Sequence, residues 1–467
     1  MKRLIIPGFI AILLLAFTSC AKTGGTTAVK STTGPETLFN KPYRHIVLDN
    51  GLDVIMVKSD KQPIATIEIA ARNGAYTQTP ENCGLSHLYE HMFFKGNERW
   101  RTQEEYQKRI RELGIIYNGM TSNETVRYFF TVPSKNIEEG MEFMSYAIRK
   151  PLFDTTELKK EKMVVMNEFK RDFSQPDYIF YQETERAMFS DYFYRKNAIG
   201  EKDVILGATR EQMIEIKNEF YTPGNCALII AGDIDLDKTQ KWAETYYASW
   251  EEGEMPDRDY PEHAALTDDK NILITADVGV SKMRMEYRGP DVDEYPEHTY
   301  PLDLLTEMFR MKSFPLREKL IESGLAYDFY AGYFTQQDGA TFTFYSTLMP
   351  ENVIKVREII LEEIDKMTSP DYFSDDMIQL AKERNRINFL YGMQSSRDFA
   401  LDIGFWWAIT GMDYFMSYPD KINAVDAESI SRAVKQYLHN KHKVTGVLVN
   451  EEAADKYFDN SWKECER

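Results

Sequence analysis

The sequence predicts an α+β protein of two related domains in tandem, each a largely antiparallel sheet with helices packed on it. Three observations carry that expectation. Apolar runs with strand period lie next to one another around an Asn-Gly turn signal. Helical patterns then follow in blocks, without the strict strand–helix alternation of a doubly wound sheet. Finally, one helix–turn–strand order occurs twice, in "ATREQMIEIKNEFYTPGNCALIIAGD" (208–233) and in "AVDAESISRAVKQYLHNKHKVTGVLVN" (424–450). Setting Ile214 against Ile430 and Tyr221 against Tyr437 gives a shift of 216 residues.

The elements follow in order. Residues 45–59, "HIVLDNGLDVIMVKS", are two apolar runs around Asn50-Gly51 and read as a hairpin; "IATIEIAARNGA" is an alternating strand. A helix is expected over 84–95, closed by Gly96-Asn97, with Leu85, Leu88 and Met92 as its apolar stripe. "TQEEYQKRIRELG" is a second helix, "VRYFFTVP" a strand and "NIEEGMEFMSYAIRKP" a third helix. A long helix covers 156–172, with Asp154 and Glu157 placed as a capping box. Its Met163, Val164, Met166 and Phe169 point to a packed side. The polar, proline-containing "EEGEMPDRDYPEH" (251–263) reads as the linker. The expected organisation is a first domain over 41–255 and a second over 256–467.

Composition narrows the function. With 467 residues, 43% hydrophobic and 28% charged, the chain suits two folded domains. A net charge of −18 argues against a nucleic-acid partner, which needs a basic surface. The start, "MKRLIIPGFIAILLLAFTSCAK", is basic and then apolar from Leu4 to Phe17, too short to span a bilayer comfortably. It reads as a signal peptide over 1–20, and Thr18-Ser19-Cys20 resembles a bacterial lipoprotein signal, with Cys20 lipidated. The simpler alternative is plain secretion with cleavage after Ala21. A Gly/Thr-rich tether over 21–40 follows, and the chain is expected to be exported to the bacterial periplasm or outer membrane. Cys83, Cys226 and Cys465 remain, an odd number without metal-site spacing, so no disulfide framework is implied.

The chemistry gathers in "HLYEH", residues 87–91. One helical turn separates His87 from His91, so both imidazoles leave the same face and can share one metal ion. Glu90 lies beside them, able to act as a base without being a ligand. Two histidines do not complete a catalytic zinc site, which takes three protein ligands and an open position. Candidates for the third are Glu161 and Glu168 in "EKMVVMNEF", seven residues apart and therefore on one helical face; a solvated acidic face is the plainer explanation of that pair.

Together, H-L-Y-E-H followed by Glu168 resembles the H-x-x-E-H…E signature of the inverzincin metallopeptidases, the family of insulin-degrading enzyme, pitrilysin and the mitochondrial processing peptidase. "HMFFKGN", "NGMTSNETVRYFFTVP", "YTPGNCALIIAGDID" and "GLAYDFYAGYF" are similar to further family segments, so the resemblance spans roughly 40–450. It implies one zinc ion per chain on His87, His91 and Glu168, with Glu90 as general base and Glu161 orienting a ligand. It also implies that Asn118 contacts an extended peptide by strand addition. Gly119 stands where the family usually has Ala. The family's second domain places an Arg seven residues before a Tyr, to clamp peptide and oxyanion. Tyr327 matches that Tyr, but Leu320 occupies the Arg position, and the nearest arginine is Arg317.

The resemblance therefore implies an exported zinc endopeptidase of unfolded or short peptides. It would work as a homodimer, or as a heterodimer with a second family chain supplying the Arg/Tyr pair, and touch membrane only through the lipid anchor. The alternative is a non-catalytic assembly or binding subunit, as some family members are. A metal-binding lipoprotein without an enzymatic role is a third reading, for which Glu90 would have no purpose.

Overall fold

The computed structural model describes residues 36–59, 62–254, 256 and 263–464. Cys20, Cys465 and most of the expected linker lie outside them. The first sheet contains β1 (Glu36–Leu38), β2 (Lys41–Val47), β3 (Asp53–Lys58), β4 (Ile64–Ala71), β5 (Ile116–Thr121), β6 (Val126–Pro133) and β7 (Cys226–Gly232), in the order β1-β2-β3-β7-β4-β6-β5. The second contains β8 (Lys270–Thr275), β9 (Ser281–Arg288), β10 (Ala326–Phe334), β11 (Thr341–Leu348), β12 (Lys443–Val449) and β13 (Lys463–Glu464), in the order β10-β11-β9-β12-β8-β13. Pairing is antiparallel except for β3–β7 in the first sheet and β8–β12 and β8–β13 in the second. The α+β tandem is as the sequence predicts.

The repeat is complete at the level of topology: β3-β7-β4-β6-β5 reappears as β8-β12-β9-β11-β10. Its register corrects the sequence alignment by one residue. The helices before β7 and β12 start at Arg210 and Ala427, a shift of 217. Both open with a reciprocal capping box, Thr209 with Gln212 and Asp426 with Ser429, so the cap fixes where each helix begins. Tyr437 thus pairs with Phe220, and Tyr221 is the residue just beyond its helix.

Three helices in each half matter for function. In the first they are α1 (Leu85–Phe93), α2 (Thr155–Phe173) and α3 (Pro176–Phe189). In the second they are α4 (Pro296–Phe309), α5 (Asp375–Gly392) and α6 (Ser396–Ile409). Asp154 caps α2 by accepting the N–H groups of Thr156 and Glu157. Glu157 does not reciprocate as a capping box would; it pairs with Lys160 at 2.7 Å. On α2 the buried residues are Leu158, Glu161, Val165 and Met166, whereas Met163 and Val164 are exposed. The packed side is therefore rotated from the one expected, and it carries the carboxylate of Glu161 inward.

The halves exchange cover. Phe180, Met188 and Phe189 of α3 pack on Ile272, Ile274, Val444 and Leu448 of the second sheet. In return, Phe399, Ile403 and Trp407 of α6 pack on Ile55, Val57, Ala227 and Ile229 of the first. Each sheet is thus buried on both faces, by its own helices and by one from the other half. That is why β7 and β12 are buried at every position; β7 reads as an unbroken apolar run, whereas β12 buries Lys443 and Thr445 among its apolar residues. Trp407 also donates its indole N–H to Asp53 at 3.0 Å. Emptying such a site typically costs about 3–5 kcal/mol, so the two halves stand as one unit.

Candidate metal centre

Helix α1 starts at Gly84, whose φ of +91° is open to glycine, and a Cβ there would sit 2.6 Å from the Cα of Gly200. The close approach seats the start of α1 on the chain after α3. Leu85, Leu88, Tyr89, Met92 and Phe93 then fill the core, which leaves His87, Glu90 and His91 on the opposite side facing α2 and β5.

There the two imidazoles meet Glu168 of α2. Its Oε2 lies 3.7 Å from Nε2 of His87 and 3.7 Å from Nε2 of His91. The three ligand atoms all fall within 4.8 Å of one another, the one such group among the described residues. A tetrahedral zinc ion with bonds of ~2.1 Å separates its ligand atoms by ~3.4 Å, close to the two distances from Glu168, and two imidazoles with one carboxylate are a donor set of the kind that ion takes. The other nitrogen of His91, Nδ1, lies 3.2 Å from Oε2 of Glu161, whose Oε1 takes Lys95 Nζ at 2.7 Å. The pairing leaves Nε2 of His91 as the lone-pair donor.

The electrostatics separate the two histidines. Burial and the neighbouring His91 hold the His87 ring down to about 4, so it is neutral and available as a ligand. Burial also pulls His91 down, but its bond to Glu161 and the carboxylates of Glu168 and Glu90 outweigh that and raise it. Glu161 experiences the reverse: burial pushes it up, and His91 and Lys95 bring it below the usual carboxylate range. Burial raises Glu90 despite the opposing bond from Thr121, the direction a general base needs.

Two residues on β5, whose contact with Glu90 the sequence reading did not foresee, hold that carboxylate. Thr121 Oγ1 donates to Glu90 Oε2 at 2.6 Å. Gly119 faces the same carboxylate, since a Cβ there would lie 2.7 Å from Glu90 Cγ. The missed signal is the strand period: Gly119 and Thr121 are two apart on β5 and share the face turned to α1. Asn118 points the other way and is exposed on β5, which pairs only with β6 among the described strands and is therefore a sheet edge.

In front of this face lies a cavity of about 490 Å³ between the two halves. His87, Glu168 and Thr121 line one side, and Phe334, Phe405 and Ile409 of the second half line the other. Arg317 and Tyr327 do not line it. Arg317 donates to the carbonyl of Phe329 at 3.2 Å, and Tyr327 is 62% exposed at an irregularity in the β10–β11 register. Leu320 is fully buried in the second core. A π-helical turn over Glu318–Glu322 lies between Arg317 and Tyr327. Cys83 and Cys226 are buried free thiols. No helix among the described residues is long and apolar enough to cross a membrane.

Comparison with known proteins places the chain. Residues 53–200 match the profile described as Insulinase (Peptidase family M16), and residues 207–385 match that described as Peptidase M16 inactive domain. An "Uncharacterized zinc protease" of Rickettsia felis is 26% identical over 369 residues, covering 78% of this chain and 87% of that protein. An "Uncharacterized zinc protease YmxG" of Bacillus subtilis is 22% identical over 352 residues, covering 74% and 83%. Among solved structures, a protease from Helicobacter pylori superposes with a TM-score of 0.80 at 18% identity, covering 87% of this chain and 99% of that one. The first half of the periplasmic protease PqqL from Escherichia coli gives 0.72 at 16% identity, covering 90% and 94%. With both halves matched in order and the H-x-x-E-H motif seated on α1, the chain belongs to the M16 peptidase family.

Proposed function

We propose that the chain is an exported zinc-dependent endopeptidase acting on unfolded or short peptides. The observation that carries this reading is the convergence of His87, His91 and Glu168 beside a carboxylate, Glu90, that is no part of the ligand triangle and is held by its own donor. Zinc bound there would supply a Lewis acid that lowers the pKa of water and polarises a carbonyl. Glu90 takes a proton from the attacking water and returns it to the leaving amine, and Thr121 keeps its carboxylate aimed during both transfers. Glu161 and Lys95 hold the His91 ring in place. An extended peptide pairs along the free edge of β5 with Asn118 against its backbone, which brings its scissile carbonyl toward α1.

Arg317 and Tyr327 lie on the outside of the chain's own cavity, and Tyr327 is exposed. Their position favours a dimer, of two copies or with a second family chain, in which one subunit's pair clamps peptide at the other's metal face. The signal-like residues 1–20, with lipidation at Cys20, give export and an anchor. The similar protease PqqL is a periplasmic protein, in agreement with that location. The position of Arg317 and Tyr327 away from the cavity equally suits an assembly or binding subunit, and metal content separates the two readings.

The test is elemental zinc analysis and peptide hydrolysis on residues 21–467. About one zinc per chain is expected, and Glu90→Gln should keep it while losing about 10³-fold or more in kcat. Hydrolysis unchanged in Glu90→Gln would end the catalytic assignment. A purified chain that takes up no zinc after resupply would favour the binding subunit.

A further inference from the structure

The turn between β5 and β6 carries Glu124, which is 2% exposed at the boundary between the halves. Its carboxylate accepts the backbone N–H groups of Gln337 and Asp338, each at 3.0 Å. Both belong to the turn between β10 and β11, in the second half. Two buried cations of the first half grip the same turn. Arg195 pairs with the Asp338 carboxylate, and Lys196 Nζ donates to Gln336 Oε1 at 3.0 Å and to the carbonyls of Asp338 and Gly339 at 2.7 and 3.1 Å.

Such a cluster is a poor way to gain stability, because desolvating three charges costs several kcal/mol each before their pairing returns it. The apolar contact between the halves is already made by α3 and α6. What the cluster adds is a fixed geometry at one place, and that place adjoins the reaction centre. The β5–β6 turn is held from the first half as well: Ala75 N–H donates to Ser122 O at 3.1 Å and Tyr76 N–H to Asn123 O at 2.8 Å. Arg195 closes the circle, donating to Tyr76 O at 3.0 Å while paired with Asp338. Thr121, the donor to Glu90, is the residue at which this clamped turn enters β5.

We infer that Glu124 is a positioning residue, through which the β10–β11 turn of the second half sets the place of Thr121 and so the aim of the base Glu90. The inference rests on the reading of Glu90 as base. It gives the second half a part in the chemistry of its own chain without contributing any reacting group. A shift of Thr121 by a fraction of an ångström would leave the metal ligands, which sit on α1 and α2, where they are, and would mis-aim the carboxylate between them.

A double-mutant cycle tests this. Glu124→Gln keeps one acceptor and the side-chain shape but turns an N–H₂ toward the second backbone donor; Thr121→Val removes the hydroxyl. Each single variant should keep about one zinc per chain and lose about tenfold in kcat, with KM changed less than about twofold. If Glu124 acts through Thr121, the double variant should be no slower than the slower single one. Losses that multiply, a change confined to KM, or loss of zinc in Glu124→Gln would overturn the inference. Asp338→Asn loosens the same turn from the other half, with an expected kcat loss of about threefold; it decides the matter if Glu124→Gln does not fold. Hydrogen exchange is read on the same proteins. Faster exchange at amides 118–123 in Glu124→Gln, with 85–93 unchanged, is expected, and unchanged exchange at 118–123 would refute the latch. A zinc-loaded parent without hydrolysis would instead sink the peptidase reading, and the latch would then be judged on the exchange alone.

Discussion

In the first half, α1 carries His87, Glu90 and His91 on the side that meets Glu168 of α2; in the second, the matching positions of α4 are Asp303, Thr306 and Glu307, and Glu307 meets Asn388 of α5. The correspondence follows from burial and caps. Leu88, Tyr89, Met92 and Phe93 are buried in one helix as Leu304, Leu305, Met308 and Phe309 are in the other, and the helices end at Phe93 and Phe309. Helices α2 and α5 are aligned by their caps, Asp154 and Ser374. Where His91 and Glu168 face each other across a metal-sized gap, Asn388 donates to Glu307 at 3.2 Å, and Arg310 and Arg384 lie 2.6 and 3.7 Å from the same carboxylate. A divalent cation has no place among those guanidinium groups. The apolar side of each helix is what the fold needs, so it is the same in both. The polar side contributes nothing to the core, and in one half it is free to be spent on chemistry.

The largest effect should come from making the first half resemble the second at one position. Glu168→Asn puts the residue of α5 on α2, replacing an ionised ligand by a neutral amide. Zinc affinity is expected to fall by more than the ~100-fold that loss of an outer partner costs, with hydrolysis lost in parallel. Competition against a chelator reads the affinity, and a melting curve of the metal-free protein should be nearly unchanged, since Glu168 is partly exposed. Zinc held as tightly as in the parent would mean that His87 and His91 have a different third ligand.

How far the site could be read before the fold depended on range. His87, Glu90 and His91 were legible because five consecutive residues on a helix fix their own geometry. Helix spacing put Glu161 and Glu168 on one face but did not choose between them or exclude a solvated acidic face; the family resemblance made that choice. Met163 and Val164 misled, because an apolar residue in a helix can lie on either side of the stripe and only packing decides which. The exchange of α3 and α6 between the halves left no local mark beyond the unbroken apolar run of β7, which says that both faces are covered and not by what. Glu124 could not have been singled out at all. Its partners are backbone groups more than 200 residues away, and backbone donors have no sequence signature.

A smaller effect tests the fit around the base by the same substitution in both halves. Gly119→Ala brings a Cβ to 2.7 Å from Glu90 Cγ, so the carboxylate has to move by some tenths of an ångström. A fall in kcat of about five- to tenfold is expected, with zinc retained, since a full ångström would cost about 100-fold. Gly332 sits on β10 against Thr306 and the hydroxyl of Tyr330, and Tyr330 is 44% exposed and can swing away. Gly332→Ala should therefore leave steady-state hydrolysis as it is. Equal losses in the two variants would show that the glycines serve the strands and not the base.

The smallest effect concerns what the second half does with the polar position that matches His87. Asp303, at the place of His87, accepts the hydroxyl of Tyr418 at 3.0 Å. Burial pushes its carboxyl up to about 7; the Tyr418 bond opposes this and Glu307 adds to it. In the unfolded chain the same group titrates near 3.9. Below about pH 4 both states carry the proton and Asp303 has no influence on stability. Between there and about pH 7 the folded state holds the proton while the unfolded state releases it, so stability falls as pH rises through that window, and above it the folded protein carries an unfavourable charge. Asp303→Asn keeps an acceptor for Tyr418 and cannot ionise. Its melting temperature relative to the parent should therefore rise from pH 5 to pH 8, by a few degrees on the scale of about 2–4 °C per kcal/mol. A difference that stays constant with pH would mean that a cation, Arg310 being the nearest candidate, keeps Asp303 ionised throughout, and that the second half has retained a charge-stabilising pocket where the first holds its metal ligand.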